Sequence, residues 1–193
     1  MEKLYKYKSL KSFEYLVDII LNKRLFGSKY LELNDPFEAY ILGNNIDKKI
    51  YEQRANARIC SASKTPFNEL MWAHYADGHR GYCVEFTPNS SKWEIVNVEY
   101  KDTLPLVTSS TSINDVLKNK LKPWEYEKEV RCIKHLNNKD KKNYLPVRIS
   151  KIYLGIKIDR TKRAFIKKLI KSVDNRIEVV DIKREDLIEH MNK

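Results

Sequence analysis

The chain has 193 residues, of which 42% are hydrophobic and 11% aromatic, so the composition excludes a disordered protein and suits one domain over residues 1–193 with a buried core. The net charge of +11 makes nucleic acid a candidate partner, although the positive residues are spread along the chain and its richness in Lys, Asn and Ile makes surface lysine a compositional default. The N-terminal residues contain no apolar signal core and no stretch approaches about 18 uninterrupted apolar residues, so we expect a soluble, cytoplasmic protein with no membrane partner.

The first residues predict a strand, an amphipathic helix and two short extended pieces. Leu4–Ser9 alternates as a strand does. A helix capped by Ser12 follows, because its apolar residues recur at i, i+3, i+4, i+7 and i+8. It ends near Lys23, and Arg24–Phe26 and Lys29–Leu31 are predicted to be extended.

The segment Leu33–Glu38, with the sequence LNDPFE, has two interpretations. Asn34 and Asp35 before a proline are typical of a turn, because Pro holds the preceding residue out of the α region and both side chains can bond their own backbone. Alternatively, Asn34, Asp35 and Glu38 line a binding site, as polar loop residues often do. We expect this segment to lie beside the glutamate-rich strand described below.

The middle of the chain predicts a polar helix, a strand and a helix that is apolar nearly all round. Residues 39–57 are predicted to be helical, and Arg58–Ser63 is predicted to be a strand that runs into hydroxyl groups, among them Ser61. Asn68 opens the second helix, Glu69–Asp77, whose apolar surface predicts burial.

This apolar helix contains three candidate binding residues. We predict that Met71 or Trp72 is largely buried against a sheet. His74 is either a hydrogen-bonded core histidine or a group that orients a ligand beside Trp72 and Tyr75.

The elements that follow complete an α+β pattern. Gly81–Phe86 is predicted to be a strand with Trp93–Tyr100 as its hairpin partner, and a capping-box pattern at Ser112 starts a helix that ends near Leu121. The remaining predicted elements are strands over Val147–Ile149, Lys151–Ile156 and Arg176–Ile182, a helix from Asp159 to Ser172 with Phe165, Leu169 and Ile170 inward, and a short acidic C-terminal helix. Together they predict an α+β fold with a mostly antiparallel central sheet flanked by four or five helices.

The segment Lys122–Ile133 carries the most informative pattern. As a strand it places Trp124, Tyr126, Val130 and Cys132 on one face and Glu125, Glu127, Glu129 and Arg131 on the other. Neighbouring carboxylates raise each other's pKa, and an arginine offsets this. The charged row is either a solvated strand face or a carboxylate site facing a cleft, where Arg131 holds at least one glutamate ionised. Ile133 interrupts the charged face, which indicates that this face is partly covered.

The cysteines do not indicate a metal site. Cys60, Cys83 and Cys132 are isolated and odd in number, and each falls in a predicted strand, so we expect buried free thiols. A zinc site would need His74 or His79 to converge with them, and we predict no metal.

Several motifs occur in a recognisable order: LYKYKS before a helix, LNDPFE, a Cys-Ser-x-Ser segment, LMWAHYADGHRGYCVEF, Lys120 with WEYEKEVR, and IYLG. In order and spacing they resemble a widespread bacterial family, domain of unknown function 2971, over nearly the whole chain. The resemblance implies no activity, because the family is named for lacking one. The segment Cys60–Ser63 stands where a bulkier Cys-Phe-Ser segment is usual, so either Ser61 or Ser63 is the relevant hydroxyl.

A more distant resemblance is to the ADP-ribosyltransferase architecture, which has a short first strand, a helix and a late strand bearing glutamates. It implies NAD as cofactor, with Glu129 beside the positive charge that develops at the anomeric carbon. Tyr7, Trp72 and Tyr75 would enclose the nicotinamide. The first strand departs from that family, since it offers Lys6 and Tyr7 where Arg or His is usual.

Three classes of function therefore stay open. The chain is an NAD-dependent transferase of a toxin or phage-defence type, a nucleic-acid-binding or -processing protein that uses Trp72, Tyr75 and Trp124 as stacking platforms, or a non-catalytic module that senses a small-molecule or nucleotide ligand. The candidate catalytic residues are Glu127, Glu129 and Arg131, and the candidate substrate-binding residues are Lys6, Tyr7, Asn34, Asp35, Ser61, Trp72, His74, Tyr75 and Trp124.

Overall fold

The computed structural model describes residues 2–43, 47–108, 110–137 and 143–191. Its strands are β1 (Leu4–Lys8), β2 (Arg24–Phe26), β3 (Ala57–Ser63), β4 (Tyr82–Pro88), β5 (Glu94–Asn97), β6 (Glu99–Lys101), β7 (Asn119–Leu121), β8 (Glu129–His135), β9 (Tyr144–Leu154) and β10 (Glu178–Asp181). Its helices are α1 (Phe13–Asn22), α2 (Lys48–Asn56), α3 (Glu69–Tyr75), α4 (Ile113–Leu117), α5 (Arg160–Val173) and α6 (Arg184–Met191), with two 3-10 helices at Tyr30–Glu32 and Lys122–Glu127. The predicted α+β class with mostly antiparallel strand pairing is confirmed.

The chain divides into two compact units. The first unit comprises Met1–Leu25, Ala62–Ser90 and Pro146–Lys193, and the second comprises Phe26–Ser61 and Ser91–Leu145. The single domain expected over residues 1–193 stays a prediction. Among the described residues, no helix combines the length and the apolar character needed to span a bilayer.

The first unit is built around β4. This strand pairs with β1 on one side, Leu4 lying opposite Phe86, and with β9 on the other, while β10 runs parallel to β9. Every residue of β4 except Thr87 is buried, in keeping with its aromatic and β-branched sequence. Gly81 precedes the strand at a close approach of two backbones, since a Cβ there would lie 2.2 Å from the carbonyl oxygen of Lys8.

Helix α3 contributes the largest core side chain of this unit. Trp72 is 0% exposed, and its indole nitrogen donates to the carbonyl of Pro66 at 2.8 Å. Its ring meets that of Tyr7 edge-on at a centroid distance of 5.2 Å. The predicted burial of Met71 or Trp72 is thus confirmed, since both are buried. Asn68 caps the helix as predicted, accepting from the backbone nitrogen of Met71.

The second unit packs its own core around β8. The first residues of β3 lie next to β8, and β8 pairs antiparallel with β5. Strands β6 and β7 form a separate parallel pair in which Tyr100 lies opposite Lys120. The core residues are Ala39, Ile50, Ala57, Ile59, Val107, Ile113, Val116, Leu117 and Ile133.

Some predicted elements are wrong. Trp93–Tyr100 is not the hairpin partner of β4, because β5 pairs with β8 and β6 with β7. Lys29–Leu31 is not extended, since Tyr30–Glu32 forms a 3-10 helix closed by Glu32, which accepts from the backbone nitrogen of Lys29. Within residues 39–57 the helix covers only Lys48–Asn56, and residues 44–46 lie outside the described part of the chain.

Two further details of the C-terminal half differ from the predictions. The two strands predicted over residues 147–156 are one continuous strand, β9. On α5, Phe165 was expected to face inward but is 56% exposed, because Ile166 and Ile170 occupy the buried face. Asp159 caps this helix as predicted, accepting from the backbone nitrogen of Lys162.

Candidate functional site

The glutamate-rich segment is not one strand. Lys122–Glu127 forms a 3-10 helix, Lys128 adopts a left-handed conformation at φ 45°, and the strand begins only at Glu129. Pro123 sets this start, because its fixed φ suits the first turn of a helix and it lacks the N–H that a strand partner would need. The predicted strand over Lys122–Lys128 is therefore wrong.

The turn changes which side chains come together. Trp124 and Tyr126 lie on the 3-10 helix and not on the packing face of a strand. From Glu129 onward the predicted strand is confirmed, and Ile133 is part of the buried core as its position on the charged face indicated. Lys128 lies between Glu127 and Glu129, whose carboxylates both contact the ammonium of Lys120.

Lys120 lies at the centre of a buried ion network in the second unit. Its Nζ is 2.8 Å from Glu38 Oε1 and 3.2 Å from Glu129 Oε2, and it also contacts the carboxylate of Glu127. These three carboxylates match the three N–H groups of an ammonium. The ring of Trp124 lies over the same nitrogen, 4.9 Å from it.

Arg131 completes the network from β8. Its Nε lies 2.8 Å from Glu129 Oε1, its Nη2 lies 2.7 Å from Glu38 Oε2, and its Nη1 donates to the carbonyl of Leu117 at 2.6 Å. The side chain is fully buried. Three carboxylates thus share two cations, and each charged group has a partner of opposite sign, which a buried charge requires.

The network keeps Glu129, Lys120 and Arg131 ionised, as the directions of their pKa shifts show. Burial alone would raise the pKa of Glu129, but Arg131 and Lys120 outweigh burial and lower the pKa to about 2. Burial acts to lower the pKa of Lys120, and the surrounding glutamates raise it well above its usual value. The prediction that Arg131 holds a glutamate ionised is in accord with this geometry. The hydroxyl of Ser61 adds a hydrogen bond to Glu129.

Two strained backbone positions hold the carboxylates in place. Ala39, directly after Glu38, has φ 54°, and Lys128, between the other two glutamates, has φ 45°. A left-handed conformation costs a residue with a side chain roughly 1–2 kcal/mol. Strain of this kind persists where the surroundings over-determine the conformation, and it clusters at functional sites.

The segment LNDPFE forms the predicted turn. Asp35 Oδ1 accepts from the backbone nitrogen of Phe37 at 2.9 Å, as an aspartate does in such a turn. Glu38 then reaches Arg131, which places the segment beside β8 as predicted. Asp35 is buried and its Oδ2 has no hydrogen-bond partner among the described residues, whereas Asn34 is exposed.

A cavity of about 380 Å³ adjoins the network in the same unit. Three of its lining residues are direct chain neighbours of network residues: Phe37 and Ala39 flank Glu38, and Asn119 precedes Lys120. The polar wall includes Asn119, whose Oδ1 is buried without a hydrogen-bond partner in the described part of the chain. The residues that line the cavity are Phe37, Ala39, Tyr40, Glu99, Lys101, Leu104, Pro105, Leu106, Val107, Ser110, Thr111, Asp115, Val116, Lys118 and Asn119.

The structure divides the predicted site residues between the two units. Glu127, Glu129, Arg131, Ser61, Asn34, Asp35 and Trp124 belong to the second unit, and Lys6, Tyr7, Trp72, His74 and Tyr75 belong to the first. His74 is exposed and contacts Tyr75, so the first of its two alternatives, a hydrogen-bonded core histidine, is wrong, because the buried face of α3 is the side with Met71 and Trp72. Lys6 is half-buried on β1, and the hydroxyl of Tyr7 donates to the carbonyl of Thr65.

The first unit contains a buried carboxylate, Glu85, that the sequence did not single out. Glu85, on β4, accepts from Ser150 at 2.7 Å, from Tyr153 at 2.9 Å and from Tyr5 at 3.3 Å, and it pairs with Lys3 at 2.8 Å. Burial raises its pKa, yet these donors lower it overall. Four donors saturate both oxygens, which fits a structural role in joining β1, β4 and β9.

Sequence reasoning missed Lys120 as the central cation and treated Glu38 only as one alternative. Charge balance could have predicted a second cation, because three clustered carboxylates beside the single cation of Arg131 would leave buried negative charge unbalanced. In the described residues, no group of three or more His, Cys, Asp or Glu side chains is arranged to hold a metal, and Cys60, Cys83 and Cys132 are buried free thiols as predicted.

The fold and the network define an α+β protein with a buried ion cluster. Residues 71–132 match the model of a family described as "Protein of unknown function (DUF2971)". This match supports the resemblance that the motifs predict, within a stretch that includes Lys120, Glu127, Glu129 and Arg131, whereas the motifs before residue 71 lie outside it. No curated protein and no solved structure gives a significant match to the chain.

Proposed function

We propose that the second unit is a binding module for a small uncharged molecule of the nucleoside type, a flat ring that carries several N–H or O–H donors. The observation that supports this is the cavity of about 380 Å³, because three residues of its wall are direct chain neighbours of residues in the buried ion network. Its volume lies near the lower end of the range of about 300–1,000 Å³ typical of ligand pockets, so it suits a single nucleoside better than a whole dinucleotide.

The lining of the cavity favours an uncharged ligand. Lys118 is paired with Glu99 at 3.0 Å and with Asp115 at 2.8 Å, and Lys101 is paired with Glu99 at 3.0 Å. These two cations and two anions cancel, which leaves no unpaired cation in the wall for a phosphate. The unpartnered Oδ1 of Asn119 is an acceptor that a ligand N–H or O–H would satisfy.

The mouth of the cavity favours a flat ring. The side chains of Phe37 and Tyr40 are each about half-exposed, and both line the cavity. Exposed aromatic rings offer large apolar faces for stacking at a small cost in conformational entropy. A ring that lies against them with its polar edge toward Asn119 would use both parts of the lining.

The ion network favours binding over catalysis. A carboxylate with a pKa of about 2, as in Glu129, is too weak a base to remove protons near neutral pH. Lys120 stays protonated because its pKa is raised, so its amine is not a nucleophile. In this proposal the network is a rigid support that fixes the lining residues Phe37, Ala39 and Asn119, which are chain neighbours of Glu38 and Lys120.

NAD-dependent transfer is the second candidate. One observation favours it: Glu129 is ionised and hydrogen-bonded by Ser61, as a carboxylate that stabilises positive charge must be. Against it, Glu129 is 5% exposed and its charge is already balanced by Arg131 and Lys120. The test is nicotinamide release from NAD, for which the binding-module proposal expects none. Release by wild type that is lost in a Glu129→Gln protein shown by circular dichroism to be folded under the assay conditions would reverse the order of the two candidates.

The binding proposal is tested by calorimetric titration with adenosine as the probe. We expect wild type to bind, and Asn119→Leu to bind about tenfold more weakly or worse, because the variant removes the acceptor from the wall. The matched control is Asn97→Leu, an exposed asparagine of β5 outside the cavity lining, which should bind as wild type does. Absence of heat and of thermal stabilisation with adenosine, guanosine and cytidine would contradict the proposal.

A further inference from the structure

Helix α5 in the first unit has a cationic outer face without acidic partners. Its sequence RTKRAFIKKLIKSV contains six Lys or Arg residues and no Asp or Glu. Arg160, Lys168 and Lys171 lie at i, i+8 and i+11, so they share one face of the helix, opposite the buried Ile166 and Ile170. All three are exposed, and none forms an ion pair with another residue that the structure describes.

The inner cations of the same helix form ion pairs that stabilise the fold, and the outer ones form none within the part of the chain that the structure describes. Arg163 Nη1 lies 2.8 Å and Lys167 Nζ lies 2.6 Å from the carboxylate of Asp181, which attaches α5 to β10. The outer row adds nothing to this attachment. Arg160 in the first turn is even unfavourable for the helix, because the macrodipole opposes cations at a helix N-terminus.

An exposed aromatic ring and an open cavity extend this row. Phe165 is 56% exposed beside it, with its ring 5.8 Å from that of Phe13. At the C-terminal end of the helix, an open cavity of about 550 Å³ is lined by three cations, Lys23, Lys171 and Arg176, and by one acidic residue, Asp174. The surface is thus cationic from the start of α5 to the segment that follows it.

The charge of the whole chain is concentrated in this unit. The first unit contains 21 Lys and Arg against 13 Asp and Glu, and the second contains 16 against 13. If the lysine excess only reflected the overall composition, the two units would have similar net charges. The location also differs from the stacking platforms expected from the sequence, since Trp72 is buried in the core.

We propose that the α5 cationic face (Arg160, Phe165, Lys168 and Lys171) binds a single-stranded nucleic acid. The cations span about 16 Å along the helix, and they would follow the phosphates of one strand. Phe165 would stack on an unpaired base, which a duplex does not offer at its surface. This inference goes beyond the ligand proposed for the second unit and is independent of it.

The test is fluorescence anisotropy with a labelled oligo(dT), with wild type compared to two triple variants. The first is Arg160→Gln, Lys168→Gln and Lys171→Gln, and the control is Lys29→Gln, Lys48→Gln and Lys49→Gln. The control changes exposed cations of the second unit and lowers the net charge by the same amount.

We expect wild type to bind, the α5 triple variant to bind at least about tenfold more weakly, and the control to stay within about threefold. The slope of log affinity against log salt should fall by about 2 in the α5 variant, since each phosphate contact to single-stranded nucleic acid contributes about 0.7. Phe165→Ala should weaken binding about tenfold with little change in that slope, because it removes stacking and no charge.

Three outcomes would overturn the proposal. These are an absence of binding by wild type, equal losses in the two triple variants, and tighter binding of duplex DNA or of anionic vesicles than of the single strand. Circular dichroism at each salt concentration shows whether a variant is folded. A variant that is misfolded is replaced by Lys168→Gln with Lys171→Gln, which retains the first turn of α5.

Discussion

The guanidinium of Arg131 lies 2.7 Å from a carboxylate oxygen of Glu38, although the two residues are 93 positions apart. This contact joins the LNDPFE turn to strand β8. Lys120, which also contacts Glu38, joins both of them to β7. Three motifs that look independent in the sequence therefore meet in one buried ion network.

Removal of one charge from this network should destabilise the protein strongly. Glu129→Gln is expected to lower the free energy of unfolding by about 3–5 kcal/mol, because it leaves Arg131 and Lys120 with too few buried anions. Urea denaturation followed by circular dichroism measures this change. Glu125→Gln is the matched control, since Glu125 lies on the neighbouring 3-10 helix but is exposed, and it should change stability by less than about 0.5 kcal/mol. Equal effects of the two variants would contradict the network's structural role.

Stability should fall in acid through Glu129. Its folded-state pKa of about 2 lies below its ordinary value of 4.5, so the unfolded state takes up protons first as the pH falls. The contribution, about 3 kcal/mol at neutral pH, is fully present above the unfolded pKa and is lost between about pH 5 and pH 2. Urea midpoints over this window should decline more steeply for wild type than for Glu129→Gln. Parallel profiles would show that another group controls acid unfolding.

The left-handed backbone at Lys128 predicts an unusual order of stability among its substitutions, with glycine more stable than valine. Lys128→Gly should be neutral or stabilising by up to about 1 kcal/mol, because glycine adopts φ 45° without a steric penalty. Lys128→Val should cost about 1–3 kcal/mol, since a β-branched residue is a poor fit there. Thermal unfolding of the two variants measures the difference. A valine variant as stable as the glycine variant would mean that the turn is not held in this conformation.

The core role of Trp72 is tested on its own helix. Trp72→Ala should cost about 3–5 kcal/mol, because it removes a fully buried ring and its hydrogen bond to Pro66. Leu70→Ala, at a position that is 46% exposed, should cost less than about 1 kcal/mol. Chemical denaturation of both variants gives the comparison, and a stable Trp72→Ala protein would remove this residue from the core.

Local signals in the sequence predicted local structure well. The spacing of apolar residues predicted α1. Asp159 and Ser112 predicted the starts of α5 and α4, where their side chains accept hydrogen bonds from backbone nitrogens. Ile133 on a charged face correctly indicated a covered strand. Each of these predictions depends on residues within a few positions of one another.

The failures have a common physical cause. Trp93–Tyr100 has the composition of a hairpin partner, but strand pairing depends on non-local contacts that β propensity does not report. Alternation over Lys122–Lys128 favours a strand, but Pro123 suits the first turn of a helix, and the chain forms a 3-10 helix that ends at Lys128 with positive φ. Lys120 and Glu38 enter the site through contacts across the fold, which no local pattern contains.

The most direct test of the proposed site is an amide ¹H–¹⁵N NMR titration with adenosine. A ligand in the cavity beside the ion network should shift the resonances of lining residues, chiefly Thr111, Lys118 and Asn119, while those around Tyr7 and Trp72 in the first unit stay in place. The same titration on Asn119→Leu should give much smaller shifts at equal adenosine concentration. Shifts confined to the first unit, or no shifts at saturating adenosine, would contradict a nucleoside-type site in the second unit.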